Sequence, residues 1–248
     1  AWDSWQGGLL EWSKAINPLA CAVKCADRVT TVSPSYMEEL KTEANGLEML
    51  FVYEQGKCSG ILNGIDTVVW DPATDTYILD NFSLKDAEAG KKLKKKKLCK
   101  DFKLDVKLPL FIYIGRLVGE KAADLLPQAI TDSLSQLGNK MNFLILGSGD
   151  KKVEQQLTYL TGNFAGYYNS KIGYNEKLAH QMYAGADFIL MPSRVEPCGL
   201  NQMYALRYGT IPIVRSTGGL KDTVVDFGDP NGFGIRFNYA SVWDITYS

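Results

Sequence analysis

Two polar segments hold the side chains best suited to chemistry. In residues 193–202, the carboxylate of Glu196 precedes a proline turn and a predicted helix start, where backbone N–H groups point outward and can bind phosphate. Upstream, Arg116 and Lys121 follow a predicted strand, and two fixed cations can hold a leaving diphosphate without a metal. The residues alone leave a structural alternative open, because Glu196 could be a helix-terminus acid and the cations ordinary surface charges.

The sequence lacks the carboxylate pair that often holds a divalent metal at a diphosphate. No Asp-x-Asp occurs, and the closest match, residues 86–88, lies in a Lys-rich stretch. The five cysteines include no Cys-x-x-Cys pair, which argues against a zinc site and favours free thiols. We therefore predict that the protein uses neither a metal nor another cofactor, and that cations stabilise the leaving group instead.

Short apolar runs alternate with helical patterns through the second half of the chain. Strands are predicted at residues 110–114, 142–146, 164–168, 188–191 and 211–214. This alternation predicts an α/β fold with a Rossmann-like, doubly wound parallel sheet, and such sheets bind ligands beyond the carboxyl ends of their strands. The polar segments follow these strands, at residues 115–116, 147–149, 192–196 and 217–219.

The first part of the chain has a different pattern. A strand at residues 28–32 leads to a helix that begins with Ser33 as N-cap and Pro34 at its first position, and that runs to about Glu39. One strand and one helix are too little for a domain. We therefore predict the tail of a preceding Rossmann-like domain in residues 1–57 and a second Rossmann-like domain in residues 58–248.

Composition argues against two classes of partner. The net charge of -1 disfavours nucleic acid, and no apolar stretch approaches the roughly 18 residues that span a membrane. Residues 85–103 contain a lysine run that could form a patch for polyanions. We favour a solvated helix instead, with Leu84, Leu93, Leu98 and Phe102 facing the protein body.

Five sequence blocks resemble those of bacterial glycogen synthases and plant starch synthases. The blocks are Thr-Thr-Val-Ser-Pro-Ser-Tyr at 30–36, Ile-Leu-Asn-Gly-Ile-Asp at 61–66, Trp-Asp-Pro-Ala-Thr-Asp at 70–75, Glu-Pro-Cys-Gly-Leu-Asn-Gln at 196–202 and Thr-Gly-Gly-Leu-Lys-Asp-Thr-Val at 217–224. They follow the order of the family over about residues 26–236. Any one block would be weak evidence, whereas several in one order are specific.

The resemblance implies the C-terminal half of a GT-B fold, in which two Rossmann-like domains face each other across a cleft. It implies an enzyme that moves glucose from ADP-glucose to the non-reducing end of an α-1,4-glucan with retention, in the bacterial cytoplasm or the plastid stroma. The glycine loop and the sugar-contacting histidine of the family's first domain are missing, and the single histidine, His180, is predicted to be a helix-surface or packing residue. The chain would therefore be a fragment whose partner is the absent N-terminal domain.

Two alternatives stay open beside this interpretation. One is a retaining GT-B transferase that uses a UDP- or GDP-sugar, and the other is a non-catalytic module that binds a nucleotide or a glucan. The blocks at 61–66 and 196–202 argue against the first alternative. Turnover by the chain alone would exclude the second.

The resemblance also assigns roles at matching positions. Arg116 and Lys121 would bind the diphosphate, and Glu196 would contact the glucose hydroxyls and assist the transition state. These three are the predicted catalytic residues. Leu200 and Asn201 would offer backbone N–H groups to phosphate. The substrate-binding positions are Asn63, Tyr174, Cys198, Gly199, Leu200, Asn201, Tyr204, Thr217, Gly218 and Gly219.

Some of these positions have a more specific assignment. Asn63 would line the sugar site, Tyr174 would stack near adenine, and the pair Gly218 and Gly219 would let a helix start approach the ligand. Broader retaining relatives often carry a second Glu eight positions after the first. Tyr204 takes that place here, and a tyrosine there is typical of the family.

Overall fold

The computed structural model describes residues 7–248. The chain divides into two compact units, Ala1–Asn63 and Gly64–Ser248. The division falls shortly after the predicted domain boundary between residues 57 and 58, which stays a prediction. Within the described residues, no helix combines the length and the apolar character needed to cross a membrane.

The first unit packs short elements around a small apolar core. Ser33 accepts a hydrogen bond from the Tyr36 N–H and Pro34 opens the following helix, which confirms the predicted helix start. The core includes Val23 and Leu50. The elements are β1 (Glu11–Trp12), β2 (Ala15–Ile16), α1 (Pro18–Cys25), β3 (Val29–Thr31), α2 (Pro34–Glu39), α3 (Glu48–Tyr53) and β4 (Cys58–Gly60), and β4 pairs in parallel with β3.

The second unit contains a six-stranded parallel sheet. Its strands are β5 (Leu110–Leu117), β6 (Asn142–Gly149), β7 (Tyr168–Ile172), β8 (Phe188–Met191), β9 (Ile211–Arg215) and β10 (Ile235–Phe237). Their spatial order is β10-β9-β8-β5-β6-β7, and all neighbours run parallel. This is the doubly wound Rossmann order, with its switch point between β5 and β8, so the predicted fold class is confirmed.

Helices cover both faces of this sheet. They are α4 (Ala87–Asp101), α5 (Leu126–Gln136), α6 (Lys151–Asn163), α7 (Glu176–Gly185), α8 (Asn201–Arg207), α9 (Gly218–Thr223) and α10 (Val242–Tyr247). One apolar core includes Leu110, Met182 and Val214, and the other includes Leu126, Leu157 and Ile213. The inner strands are therefore buried on both sides, which explains the apolar runs of β5, β6, β8 and β9, whereas the edge strand β7 is more polar and partly exposed.

Two of the strands that lead to polar segments, β5 and β6, are longer than predicted. Gly115 does not end β5, and Gly147 and Gly149 belong to β6 rather than to a loop after it. A Cβ on Gly147 would lie 2.1 Å from the Gly115 carbonyl oxygen. These glycines allow the two backbones to approach closely inside the sheet, so they extend the pairing instead of stopping it.

Two other predicted boundaries were wrong. The strand expected at 164–168 starts only at Tyr168, because Phe164 is still bonded to α6 through the carbonyl of Leu160. The helical pattern that follows the predicted strand at 110–114 and runs to about residue 137 becomes a helix only at Leu126, after two 3₁₀ turns over Gly119–Lys121 and Ala123–Leu125. In both cases a helix end, which periodicity locates poorly, set the limit.

The lysine-rich helix α4 corrects the expectation of a solvated helix. Leu98 packs in the core and Phe102 packs against it, but Leu84 and Leu93 are exposed. Lys91 donates to the Tyr208 carbonyl at 3.0 Å, to the Thr210 hydroxyl at 2.9 Å and to the Tyr183 carbonyl at 3.4 Å. Long lysine stems reach inward here because the ends of α7 and α8 present carbonyl groups without a helical partner.

Two further lysines of α4 behave in the same way. Lys95 forms an ion pair with Asp187 at 2.6 Å, and the same carboxylate accepts the Leu110 N–H at 2.7 Å. Lys94 is buried and donates to the Leu79 carbonyl. Much of the lysine run thus binds the protein itself.

Candidate functional site

Glu196 lies at the carboxyl edge of the sheet, in the loop that leaves β8. Its Oε2 accepts hydrogen bonds from Lys121 Nζ at 2.6 Å and from Ser193 Oγ at 3.0 Å. Glu196 is 7% exposed, and the Lys121 side chain is 22% exposed. A carboxylate desolvated to this degree needs a partner, and Lys121 supplies the opposite charge. The structure thus brings together two of the three predicted catalytic residues.

The loop after β5 carries Lys121 to this position. The 3₁₀ turn Gly119–Lys121 follows directly on the strand. The carbonyl of Glu120 accepts the N–H groups of Arg194 at 2.8 Å and of Val195 at 3.2 Å. These two backbone bonds join the loop after β5 to the loop after β8, so the lysine and the glutamate are held by connected backbones.

Arg116, the third predicted catalytic residue, is the penultimate residue of β5. Its side chain is 67% exposed and forms an ion pair with Glu120 at 3.2 Å. An exposed pair of this kind contributes little to stability, so the guanidinium can exchange its partner for an anionic ligand. Tyr113 donates its hydroxyl to the Arg116 carbonyl at 2.9 Å, and burial, with the nearby Glu196 carboxylate, raises the pKa of Tyr113.

Two arginines that sequence reasoning did not single out hold these loops. Arg194 donates to the Gly119 carbonyl at 2.7 Å and binds both oxygens of Asp124, at 2.6 and 2.8 Å. These bonds lower the pKa of Asp124. Arg215 donates to the Ser193 carbonyl at 2.7 Å. Such bonds cannot be read from spacing, although Ser193 and Arg194 both belong to the segment at 193–202.

Two amide side chains, those of Gln202 and Asn201, fix the segment from Cys198 to the start of α8. Gln202 is fully buried and donates to the carbonyls of Cys198 and Gly199, each at 3.0 Å. Asn201 donates to the Ile114 carbonyl in β5 at 2.7 Å. Gly199 has φ +73°, a left-handed conformation that favours glycine. The backbone before α8 is therefore fixed to both the helix and the sheet.

The glycine pair before α9 packs against the same loop. Gly219 donates its N–H to the Glu196 carbonyl at 3.0 Å, and Thr217 precedes it as N-cap of α9. A Cβ on Gly219 would lie 2.2 Å from the Cys198 carbonyl oxygen, and Gly218 has φ +42°. A side chain on Gly219 would push the two loops apart, and the positive φ of Gly218 favours glycine there.

The other predicted positions lie on several different elements. Tyr174 follows the carboxyl end of β7 and is 87% exposed. Tyr204 lies in α8 with its ring stacked on Trp70 at a centroid distance of 3.7 Å. Asn63 is the last residue of the first unit. His180 is wholly buried and bonded to Asp75 at 2.7 Å, which makes it a packing residue.

The arrangement separates opposite charges across a short distance at one edge of the sheet. A nearly buried carboxylate can favour positive charge that develops on a bound group, and the cations can favour negative charge on a departing one. Among residues 7–248, no three or more His, Cys, Asp and Glu side chains are grouped to hold a metal ion. Arg116 and Lys121 are two cations at this edge that could balance the charge of a diphosphate.

Sequence comparisons identify relatives for nearly the whole chain. The family "Glycosyl transferases group 1" matches residues 94–243, and "Starch synthase catalytic domain" matches residues 1–53. A glycogen synthase of Flavobacterium johnsoniae is 59% identical over 97% of this chain and 51% of its own length. One from Treponema denticola is 41% identical over 95% of this chain and 48% of its own length. The chain thus spans about half the length of these curated relatives.

Solved structures give the same result at the level of fold. The catalytic domain of Starch Synthase IV from Arabidopsis thaliana, bound to ADP and acarbose, matches 94% of this chain and 49% of its own with a TM-score of 0.85 and 37% identity. Sucrose-phosphate synthase from Thermosynechococcus elongatus matches 92% and 49% with a TM-score of 0.62 and 20% identity. At that identity the second likeness shows the fold alone.

Proposed function

The chain belongs to the glycosyl transferases group 1 family, among the glycogen and starch synthases, and from this premise we propose that it is the donor-binding half of an ADP-glucose-dependent glucan synthase. The whole enzyme would transfer glucose to the non-reducing end of an α-1,4-glucan with retention at the anomeric carbon. The observation that carries the proposal is the Lys121–Glu196 pair beside the switch point between β5 and β8. Ligands of doubly wound sheets bind at this position.

The charges of the site complement those of the reaction. A retaining transfer builds positive charge on the sugar and negative charge on the leaving diphosphate. Glu196 would stabilise the sugar, and Arg116 and Lys121 would stabilise the diphosphate. In the structure, Lys121 is bonded to Glu196 at 2.6 Å. A bound diphosphate would attract the ammonium group of Lys121. Glu196 would then keep its hydrogen bond from Ser193, which donates to the same carboxylate oxygen.

We also propose the remaining roles that the resemblance to glycogen and starch synthases implies. The exposed ring of Tyr174 is open to stacking by adenine. The N–H groups of Leu200 and Asn201 would donate to phosphate. The same role in substrate binding is proposed for Asn63, Cys198, Gly199, Tyr204, Thr217, Gly218 and Gly219.

The proposal includes the context of the whole protein. The N-terminal domain of the same enzyme would supply the acceptor side of the cleft, and an α-1,4-glucan would be the acceptor. We place the enzyme in the bacterial cytoplasm or the plastid stroma, and we expect no nucleic acid or membrane partner. The engagement of Lys91, Lys94 and Lys95 by the protein itself supports the absence of a nucleic-acid role.

Calorimetric titration of the 248-residue chain with ADP, UDP and ADP-glucose tests the choice of nucleotide. We expect ADP and ADP-glucose to bind more tightly than UDP. Arg116→Ala should weaken ADP about tenfold, because one charge-assisted contact to phosphate is lost. Glu196→Gln should change ADP binding little and ADP-glucose binding more, since the carboxylate would face the sugar.

The matched control is Lys97→Ala, which removes an exposed cation that is paired with Asp101 on α4. It should bind all three ligands as the unmodified chain does. Preference for UDP over ADP would favour the alternative transferase. Binding of ADP with equal loss in the Lys97 and Arg116 variants would contradict the proposed site.

A further inference from the structure

A stack of three aromatic rings joins Trp70 to His180 and Tyr204, and of these only Tyr204 is among the proposed substrate-binding residues. Trp70 is sandwiched between two rings, with His180 at a centroid distance of 3.8 Å and an interplanar angle of 12°, and Tyr204 at 3.7 Å and 15°. Both partners belong to helices of the sheet, His180 to α7 and Tyr204 to α8. Trp70 therefore connects two helices that are separate in sequence.

The segment around Trp70 is built to hold the indole in this place. The Asp66 carboxylate accepts the N–H groups of Val68 at 2.9 Å and Val69 at 3.0 Å, and the Asp66 carbonyl accepts the Trp70 N–H at 2.9 Å. Arg207, at the end of α8, donates to the Trp70 carbonyl at 3.2 Å. Both backbone groups of Trp70, its N–H and its carbonyl, are therefore hydrogen-bonded, which fixes the position from which the indole extends.

A second group of contacts fixes the partner rings. Asp75 accepts a hydrogen bond from the Tyr208 hydroxyl and lies 2.7 Å from His180 Nδ1. Asp71 forms an ion pair with Arg207 at 2.6 Å. The block at 70–75 therefore contacts α7 and α8 through the Trp70 ring and through the carboxylates of Asp71 and Asp75.

Helix α8, which these residues contact, also holds the loop that contains Glu196. Tyr204 is on the same helix as Gln202 and Asn201, which bind the carbonyls of Cys198, Gly199 and Ile114. We propose that Trp70 is a positioning residue, which holds the Glu196 loop in place by fixing α8 through Tyr204. This inference rests on the proposed function only for its effect on the ligand.

The test compares Trp70→Leu with Phe111→Leu. The Phe111 ring stacks on Phe188 at a centroid distance of 4.7 Å and an interplanar angle of 20°, on the opposite face of the same sheet. Phe111→Leu therefore also removes a stacked ring, but one that does not contact α8. Amide hydrogen exchange over residues 196–202 reports the loop directly, and calorimetry reports ADP affinity. We expect Trp70→Leu to speed exchange about tenfold and to weaken ADP about fivefold, and Phe111→Leu to change neither. Trp70→Phe, which keeps a stacked ring, should bring both the exchange rate and the ADP affinity close to those of the unmodified chain.

A double-mutant cycle tests the route of the effect. If Trp70 acts through Tyr204, adding Trp70→Leu to Tyr204→Leu should change exchange and ADP affinity by less than about twofold. Additive effects of the two changes would overturn the proposal. So would unchanged exchange in Trp70→Leu, or a response equal to that of Phe111→Leu. A chain that binds no ADP would refute the proposed function, whereas the exchange result would still decide the role of Trp70.

Discussion

Lys121 and Lys91, at opposite edges of the six-stranded sheet, have different hydrogen-bond partners. At the carboxyl edge, Lys121 meets one carboxylate, that of Glu196, and its side chain retains 22% exposure. At the amino edge, Lys91 donates to the Tyr208 carbonyl and the Thr210 hydroxyl, and it also lies within 3.4 Å of the Tyr183 carbonyl. The first lysine has a charged partner at an open edge, and the second has neutral oxygens around it in the interior.

This difference teaches how a lysine can be assigned before any ligand is seen. A lysine that satisfies helix-end carbonyls is part of the fold, because its removal leaves buried acceptors without a donor. A lysine that is balanced by a single carboxylate near solvent can exchange that partner for an anion. The comparison predicts that replacing Lys121 mainly weakens ligand binding and that replacing Lys91 mainly lowers the free energy of unfolding.

The largest expected effect is on ligand binding at the carboxyl edge. Lys121→Met should weaken ADP binding about 30-fold, or about 2 kcal/mol, because a charge-assisted contact to phosphate disappears. The free energy of unfolding should fall by about 1 kcal/mol, because Glu196 loses its charged partner but keeps the hydrogen bond from Ser193. Calorimetry and urea unfolding measure the two quantities. A large loss of stability with unchanged ADP binding would assign Lys121 to the fold and break the comparison.

The reverse pattern is expected at the amino edge. Lys91→Met keeps the length of the side chain but leaves the Tyr208 carbonyl and the Thr210 hydroxyl without this donor. We expect a loss of about 1–2 kcal/mol in the free energy of unfolding and unchanged ADP affinity. Lys97→Ala, on the exposed side of the same helix, is the control and should cost about 0.5 kcal/mol or less. Equal losses in the two variants would show that the buried bonds of Lys91 contribute nothing.

The smallest expected effect is a pH dependence of stability. Burial lowers the pKa of Lys91 from 10.5 to about 8. Between these values the unfolded chain binds more protons than the folded chain, so the Lys91 contribution to stability rises as pH increases above about 8. We expect a gain of about 1 kcal/mol between pH 7 and pH 9 that Lys91→Met lacks.

The variant is the necessary reference for this profile. Burial raises the pKa of Cys99 to about 11, and that shift reduces stability as pH rises above the ordinary thiol value. Lys91→Met keeps Cys99, so the difference between the two profiles isolates the lysine. Parallel profiles from pH 7 to pH 9 would mean that Lys91 keeps an ordinary pKa in the folded chain.

The sequence was a good guide wherever a signal is local. The N-cap at Ser33 and the strand at Phe188–Met191 lie where the pattern predicted them. Boundaries failed where a long-range contact decided them, as at Gly115, which pairs with Gly147 inside the sheet. A single sequence cannot distinguish a glycine that ends a strand from one that lets two backbones approach.

The same division applies to the candidate site. Glu196, Lys121 and Arg116 could be singled out because their types follow predicted strands, and the parallel sheet brings strand ends together. The roles of Arg194, Arg215 and Trp70 could not be predicted, since each depends on partners far away in sequence. Nor did the lysine run reveal that Lys91 turns inward.

The sequence by itself determined the alternation of strands and helices, and hence a doubly wound sheet with its polar segments at one edge. It also determined which residue types would meet there, because the strand order follows from short, right-handed connections. Only the tertiary structure decided which charges pair, which lysines are buried and which rings stack. Those outcomes depend on distances of a few ångströms between segments that local patterns do not relate, and on burial, which sets the strength of each charge.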